Sequence, residues 1–314
     1  MSVVRPFHFL AGASDVVPGA ELAERARRAE AMGYHALVVP DHLLEQLSPL
    51  IAMTAVACAT TSLRVSAFVL NNDLRHPAVL AQDLASIDVL SGGRLDVAIG
   101  AGWNQPEYAA IGLSFDPTPV RQARLAEAVT VLKGCLTGEA FSFAGEHYTL
   151  TGHRALPAVQ RPHPPFFIAG GGRRTLALAG READIVGLAP RIRPGPAIEA
   201  SSMTWEATRE KIGWVREAAG ERFDKLELNV YPSAWPVVVT DDLHGEVRRC
   251  VTGLRAEGVQ LTEQDVLDSP HLFIGSVDRL VEKLEQLREE LGVSNIMVGD
   301  LDDLAPVVHR LAGT

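Results

Sequence analysis

Cysteine is scarce in this chain. Cys58, Cys135 and Cys250 lie far apart along 314 residues, and an odd, scattered set argues against a disulfide framework. Each falls in a helix-like stretch, which suits a reducing compartment, and a cytoplasmic protein is expected. There is no Cys-x-x-Cys pair and no His-x-x-x-His, so no metal-site signature is visible. No apolar run approaches the roughly 18 residues that span a bilayer, so no membrane partner is expected. The opening MSVVRPFHFLAGASD has a short apolar patch but no charged leader followed by a long apolar core, and reads as a first strand rather than a signal peptide. Basic charge is short as well. Against 39 Asp and Glu stand 29 Lys and Arg, a net charge of −10 with no basic run to offset it, which argues against a nucleic-acid partner. No Ser-His-Asp or Cys-His arrangement emerges from the loops, and no close pair of strand-end carboxylates marks a glycosidase.

What is present is a soluble globular composition, 47% hydrophobic and 22% charged, able to bury a full core. Short apolar runs alternate with helical periodicity. Strands are expected at Phe7–Ala11, Ala36–Val39, Leu63–Leu70, 94–99, Phe166–Ala169, Ala183–Leu188, Leu226–Tyr231 and Ser294–Val298. Helices are expected at 19–32, Pro49–Thr60, from Pro77 and from Pro119, at Thr175–Arg181, 204–219, 242–258, 262–268, from Ser276 as N-cap, and at 301–312. Phe141–Leu150 reads as a β-hairpin and Pro157–Pro165 as an irregular tract. Eight strands with helices between them, and no linker or repeat, predict one domain over residues 1–314. Its fold class is α/β, a (β/α)8 TIM barrel with the insertion 136–165 between strands four and five.

In such a barrel, function sits on the loops after the strands. That rule selects Asp41-His42, Asn71–His76, Gly100–Tyr108, Gly170–Arg174 and the loop Ala189–Pro196. A histidine directly after a strand can donate or accept a proton near neutrality, so His42 is the candidate acid–base group. Gly100-Ala101-Gly102 lets a ligand approach the backbone, with Trp103 and Asn104 beside it. Phe68-Val69-Leu70 and Trp103 offer apolar surface for a flat ring, although barrel core is the plainer reading of Phe68. Gly170-Gly171-Gly172 before a helix, with Arg173 and Arg174, suits a phosphate. Together these groups point to a planar, phosphate-bearing cofactor that carries the chemistry itself.

Three blocks carry a resemblance: AEAMGYHALVVPDHL (29–43), LRHPAVLAQDLASIDVLSGGRLDVAIGAGWNQPEY (74–108) and FFIAGGGRRTLALAGREADIVGL (166–188). In them the chain resembles the luciferase-like flavin and deazaflavin oxidoreductases, and most of all the branch that uses coenzyme F420; other branches use FMN, some with oxygen. The resemblance implies a TIM barrel, commonly a homodimer, acting on a small-molecule substrate. It places catalytic His42 beside the cofactor ring and Asp41 in contact with the ring system. It puts a non-prolyl cis peptide at Phe68-Val69 and a side wall at Gly100–Asn104. The phosphate loop falls at Gly170–Gly172; Asn71, Ala169 and Arg173, at or just after strand ends, complete the expected cofactor-binding positions. One departure stands out. Deazaflavin-dependent sugar-phosphate dehydrogenases have an acidic glutamate where this chain has Trp103, which argues against a sugar-phosphate substrate. The expectation is an F420-dependent hydride-transferring oxidoreductase, with an FMN-dependent monooxygenase, or a cofactor carrier with little turnover, as alternatives.

Overall fold

The computed structural model describes residues 5–192 and 198–314. The strands are β1 His8–Gly12, β2 Ala36–Val39, β3 Arg64–Ala67, β4 Leu70–Asn71, β5 Val97–Gly100, β6 Phe141–Ala144, β7 Thr149–His153, β8 Phe166–Gly170, β9 Ile185–Leu188, β10 Glu227–Val230, β11 Val238–Val239, β12 Ile274–Gly275 and β13 Val293–Met297. The helices are α1 Gly19–Ala31, α2 Pro49–Ala59, α3 Pro77–Ser91, α4 Gln105–Ala110, α5 Thr118–Leu136, α6 Arg173–Glu182, α7 Trp205–Ala219, α8 Leu243–Ala256, α9 Glu263–Asp268, α10 Val277–Leu291 and α11 Ala305–Leu311. If β3 and β4 are taken as one interrupted position and the short pairs β6–β7 and β11–β12 are set aside, eight parallel strand positions remain. They are the eight expected from sequence.

The local causes are those that the sequence carries. Pro77 opens α3, where its missing N–H costs nothing, and His76 caps it by accepting from Ala78 N. Gly92, at φ 67°, ends the same helix. The Ser276 hydroxyl caps α10, whose stripe Leu280, Leu284, Leu287 and Leu291 is buried. The four residues of β2 and of β5 are all buried, as strands covered on both faces require.

The chain divides into two compact units. The first takes in residues up to Gly12, Ala31–Ala36 and everything from Ala169 onward; the second takes in Ala13–Glu30 and Leu37–Ile168. In the first, β1 pairs in parallel with β13 (His8 opposite Asn295), β13 with β10, and β10 with β9. This unit also holds a small parallel pair, β11–β12, which the sequence reading did not include. Around it α8 and α9 close a cluster with Met203, Val247, Cys250, Leu254, Leu272 and Ile274. In the second unit, β5 pairs in parallel with β8 (Val97 opposite Phe166) and with β4 (Leu70 opposite Ile99). The insertion forms the expected antiparallel hairpin, β6–β7.

Among the boundaries that differ from expectation, two bear on the candidate site. The third strand, read as continuous over Leu63–Leu70, breaks at Phe68-Val69, whose peptide is cis as the resemblance implied. Helix α6 starts at Arg173 rather than Thr175, because Gly172 is extended and serves as the N-cap, which brings both arginines into the first turn. Of the loop expected at Ala189–Pro196, residues 193–196 lie outside the described residues. Among the described residues no helix is long and apolar enough to cross a membrane.

Candidate active site

His42 follows β2, and its Nδ1 lies 2.8 Å from Oε1 of Glu107, a residue of α4 that is 5% exposed. The same oxygen accepts a hydrogen bond from the Asn104 side-chain amide. The indole of Trp103, 48% exposed, meets the imidazole edge to face at 5.5 Å. A histidine, a buried carboxylate and an exposed ring therefore come together from two strand ends, those of β2 and β5. Such a pair can hold an imidazole in place while it gives or takes a proton.

Asp41 has a different task from its neighbour. It is buried, and its carboxylate takes a two-pronged ion pair from Arg75 at 2.6 and 3.0 Å, together with the Asn71 backbone N–H at 2.8 Å. Paired in this way the buried charge is satisfied. It ties the end of β2 to β4 and to the turn that follows.

Asn71 is also drawn inward. Its Oδ1 accepts from the Tyr108 hydroxyl at 2.9 Å and from Asp73 N at 3.1 Å. Burial, with the Asp73 carboxylate nearby, pushes the Tyr108 hydroxyl up to about 12. Arg124 pairs with Asp73 at 2.9 Å and also with Asp116. The carbonyls of Ala101 and Gly102 are both taken by Arg121, whose guanidinium lies over the Phe115 ring. The glycines here serve close packing. A Cβ on Gly100 would sit 2.8 Å from Val69 Cγ2, while Gly102, at φ 72°, lies against the Tyr108 hydroxyl. Phe68 packs on Phe167 at 5.4 Å between ring centres. Within the wall Gly100–Asn104, Trp103 is thus the exposed ring beside His42, and Asn104 acts on Glu107.

The second set of candidates lies in the first unit. Ala169 and Gly170 end β8, and the Gly170 carbonyl accepts from Ala189 N at 3.0 Å. A Cβ on Gly170 would meet Thr175 Cγ2 at 2.7 Å, and one on Gly171 would meet the Pro190 carbonyl at 2.6 Å. Gly172 has open space on its Cβ side, and no side chain caps α6. Gly172 as N-cap offers no side chain of its own to the first-turn N–H groups of this ten-residue helix. Arg173 is directed to Glu217 in an exposed ion pair of 2.7 Å.

Sequence reasoning assigned no role to Arg75, Glu107, Tyr108 or Tyr148. The first three stand in the RHP and GWNxxEY motifs, so their signal was present. Their partners lie 34 to 65 positions away, a separation that carries no periodicity. Tyr148 comes from the hairpin, where its hydroxyl accepts from Asn72 Nδ2 at 3.2 Å and its ring meets His76 edge to face.

Comparison with known proteins finds likenesses among both curated sequences and solved structures. Over 131 residues the chain is 37% identical to the FMNH(2)-dependent dimethylsulfone monooxygenase of Pseudomonas putida, spanning 41% of this chain and 36% of that protein. Over 184 residues it is 33% identical to the F420-dependent glucose-6-phosphate dehydrogenase of Kineococcus radiotolerans, spanning 56% and 54%. These matches cover about half or less of each curated relative. Among solved structures, the coenzyme F420 dependent tetrahydromethanopterin reductase of Methanopyrus kandleri superposes with a TM-score of 0.77 at 18% identity, covering 99% of this chain and 98% of that one. That likeness shows the fold, a TIM barrel. The sequence model of the luciferase-like monooxygenases matches residues 1–242, and the chain therefore belongs to that family.

Proposed function

We propose that the protein is an F420-dependent oxidoreductase that moves a hydride between the deazaflavin and a small organic substrate. The pairing of His42 with buried Glu107 beside exposed Trp103 carries this reading. It is a proton-transfer group held next to a flat apolar surface at the strand ends, and the F420-dependent relative supports the choice of carrier.

The residues fit such a cofactor. In the second unit, Trp103 and the Phe68-Val69 segment offer the apolar surface that a planar ring needs. In the first, the open side of Gly172 and the uncapped first turn of α6 suit a phosphate. When bound, the deazaflavin supplies a carbon that accepts or donates a hydride. The chain's own part is to align the reacting carbons and manage the proton. His42 gives or takes that proton, Asp41 and Arg75 hold the loop that carries it, and Asn71 and Gly100–Asn104 fix the facing loop. Ala169–Gly172 and the helix start at Arg173 would hold the phosphate.

The FMN-dependent monooxygenase remains a second reading, because the relative with 37% identity is named for reduced FMN. Side-by-side titration of the apo-protein with F420 and FMN, followed by cofactor fluorescence, separates the two. Micromolar binding of F420 with much weaker FMN supports the first reading; the reverse order supports the second. His42→Ala should bind cofactor within a few-fold of wild type and lose about 10²-fold in turnover. Full turnover in that variant would remove the catalytic role.

We also propose a homodimer in the cytoplasm. Helix α2 carries no charged residue, and α2 and α3 leave Ile51, Val79, Val89 and Leu90 exposed. Sedimentation equilibrium should give twice the chain mass, and a glutamate at Ile51 should shift it toward the monomer.

A further inference from the structure

We infer that Glu107 is a positioning residue that locks the His42 imidazole in the Nδ1–H tautomer and leaves Nε2 as the nitrogen that exchanges a proton with a ligand. This rests on the reading of His42 as the proton-transfer group. The local sequence offers Glu107 another use. Asn104 is the N-cap of α4 and Glu107 stands three residues on, the spacing of a capping box, in which the carboxylate returns to the N-cap backbone N–H. That use is declined, and α4 has no side-chain cap bond. Instead Oε1 of Glu107 receives the Asn104 side-chain amide and His42 Nδ1. Burying a carboxylate is costly unless its hydrogen bonds compensate, and here one comes from the Asn104 amide and the other is shared with the imidazole.

The tautomer follows from the inventory of donors and acceptors. A neutral imidazole has one N–H donor and one bare acceptor nitrogen, whereas an ionised carboxylate only accepts. With Glu107 facing Nδ1, the ring proton sits on Nδ1, and Nε2 keeps its lone pair in the neutral ring. Nε2 makes no hydrogen bond among the described residues, and the side chain is 26% exposed, so that lone pair is open to a ligand. Trp103, edge to face with the ring, limits its rotation from a second side. The acidic position that Trp103 leaves empty on the glycine loop is thus not filled by Glu107 reaching the substrate; Glu107 acts through His42.

The test reads the tautomer directly. In protein labelled with 15N-histidine, the His42 pair is assigned by its loss in His42→Gln. At a pH where the ring is neutral, Nδ1 should resonate as a protonated, pyrrole-type nitrogen and Nε2 as a bare, pyridine-type one. Glu107→Gln keeps the volume and removes the charge. There the two His42 resonances should move toward each other, while the other nine of the ten histidines hold their positions and report an intact fold. A protonated Nε2 with a bare Nδ1 in the wild type, or a His42 pair unmoved by Glu107→Gln, would overturn the proposal. This readout needs no cofactor, so its failure is distinct from failure of the hydride-transfer reading. On the loaded enzyme, Glu107→Gln should lower kcat about tenfold or more with KM within about threefold, the split expected of a residue that acts on the proton and not on binding. Loss confined to KM would count against it.

Discussion

Gly102 admits no side chain. Its left-handed backbone, at φ 72°, disfavours any L-residue, and an added Cβ would run into the Tyr108 hydroxyl and come within 2.6 Å of Asn71 Oδ1. Gly102→Ala should cost about 2–4 kcal/mol, combining the conformational penalty with overpacking, as a fall in the urea midpoint would show. Arg75 presents the opposite problem, a partner that cannot be taken away. Arg75→Leu leaves the Asp41 carboxylate buried with only the Asn71 N–H, and should destabilise by about 3–5 kcal/mol. Adding Asp41→Asn should recover part of that loss, which a double-mutant cycle measures. His42 could be singled out as a candidate from sequence because a barrel puts function after its strands. Glu107 stood in a quoted motif, but what it does depends on a histidine 65 positions away, a relation that only the fold creates.

Elements were more legible than sites, because periodicity is a local property. The buried stripes of α3, α5 and α10 and the apolar runs of β2, β5 and β9 follow from spacing alone. The misses have local causes too. Strands β11 and β12 have two residues each, too few to show alternation. Helix α4, of six residues with Pro106 at its second position, is too short to show a helical period. The hairpin was visible from its alternating aromatics, but its anchor was not. Glu127 of α5 accepts the backbone N–H groups of Glu146, His147 and Tyr148 at 2.8, 2.9 and 3.1 Å. Burial works against that charge, yet these three hydrogen bonds hold the carboxyl below its usual range. Glu127→Ala should free the turn between β6 and β7. Amide exchange at 146–148 should speed up at least tenfold, with the melting temperature nearly unchanged, because the core of α5 is untouched.

At the scale of the whole molecule, one buried lysine tunes stability with pH. Lys211 is 1% exposed and donates to the Ser202 carbonyl at 2.7 Å. Burial first, and the Arg191 guanidinium second, push its ammonium down to about 8 from 10.5. Between those two values this amine binds more protons in the unfolded chain than in the folded one, so the contribution of Lys211 to stability should rise as pH goes from about 8 to 10.5. Urea midpoints across that range measure the slope, and Lys211→Met should reduce it. Neither compact unit is one continuous segment, since the chain passes between them at residues 12, 30, 36 and 168. The pairing of β1 with β13 therefore sets an order in time. Asn295 emerges 287 residues after its partner His8. At roughly 5–20 residues per second that interval is about 15–60 s. Throughout it the edge of β1 that β13 will cover stays open, and the growing chain depends on whatever shields that edge until β13 arrives.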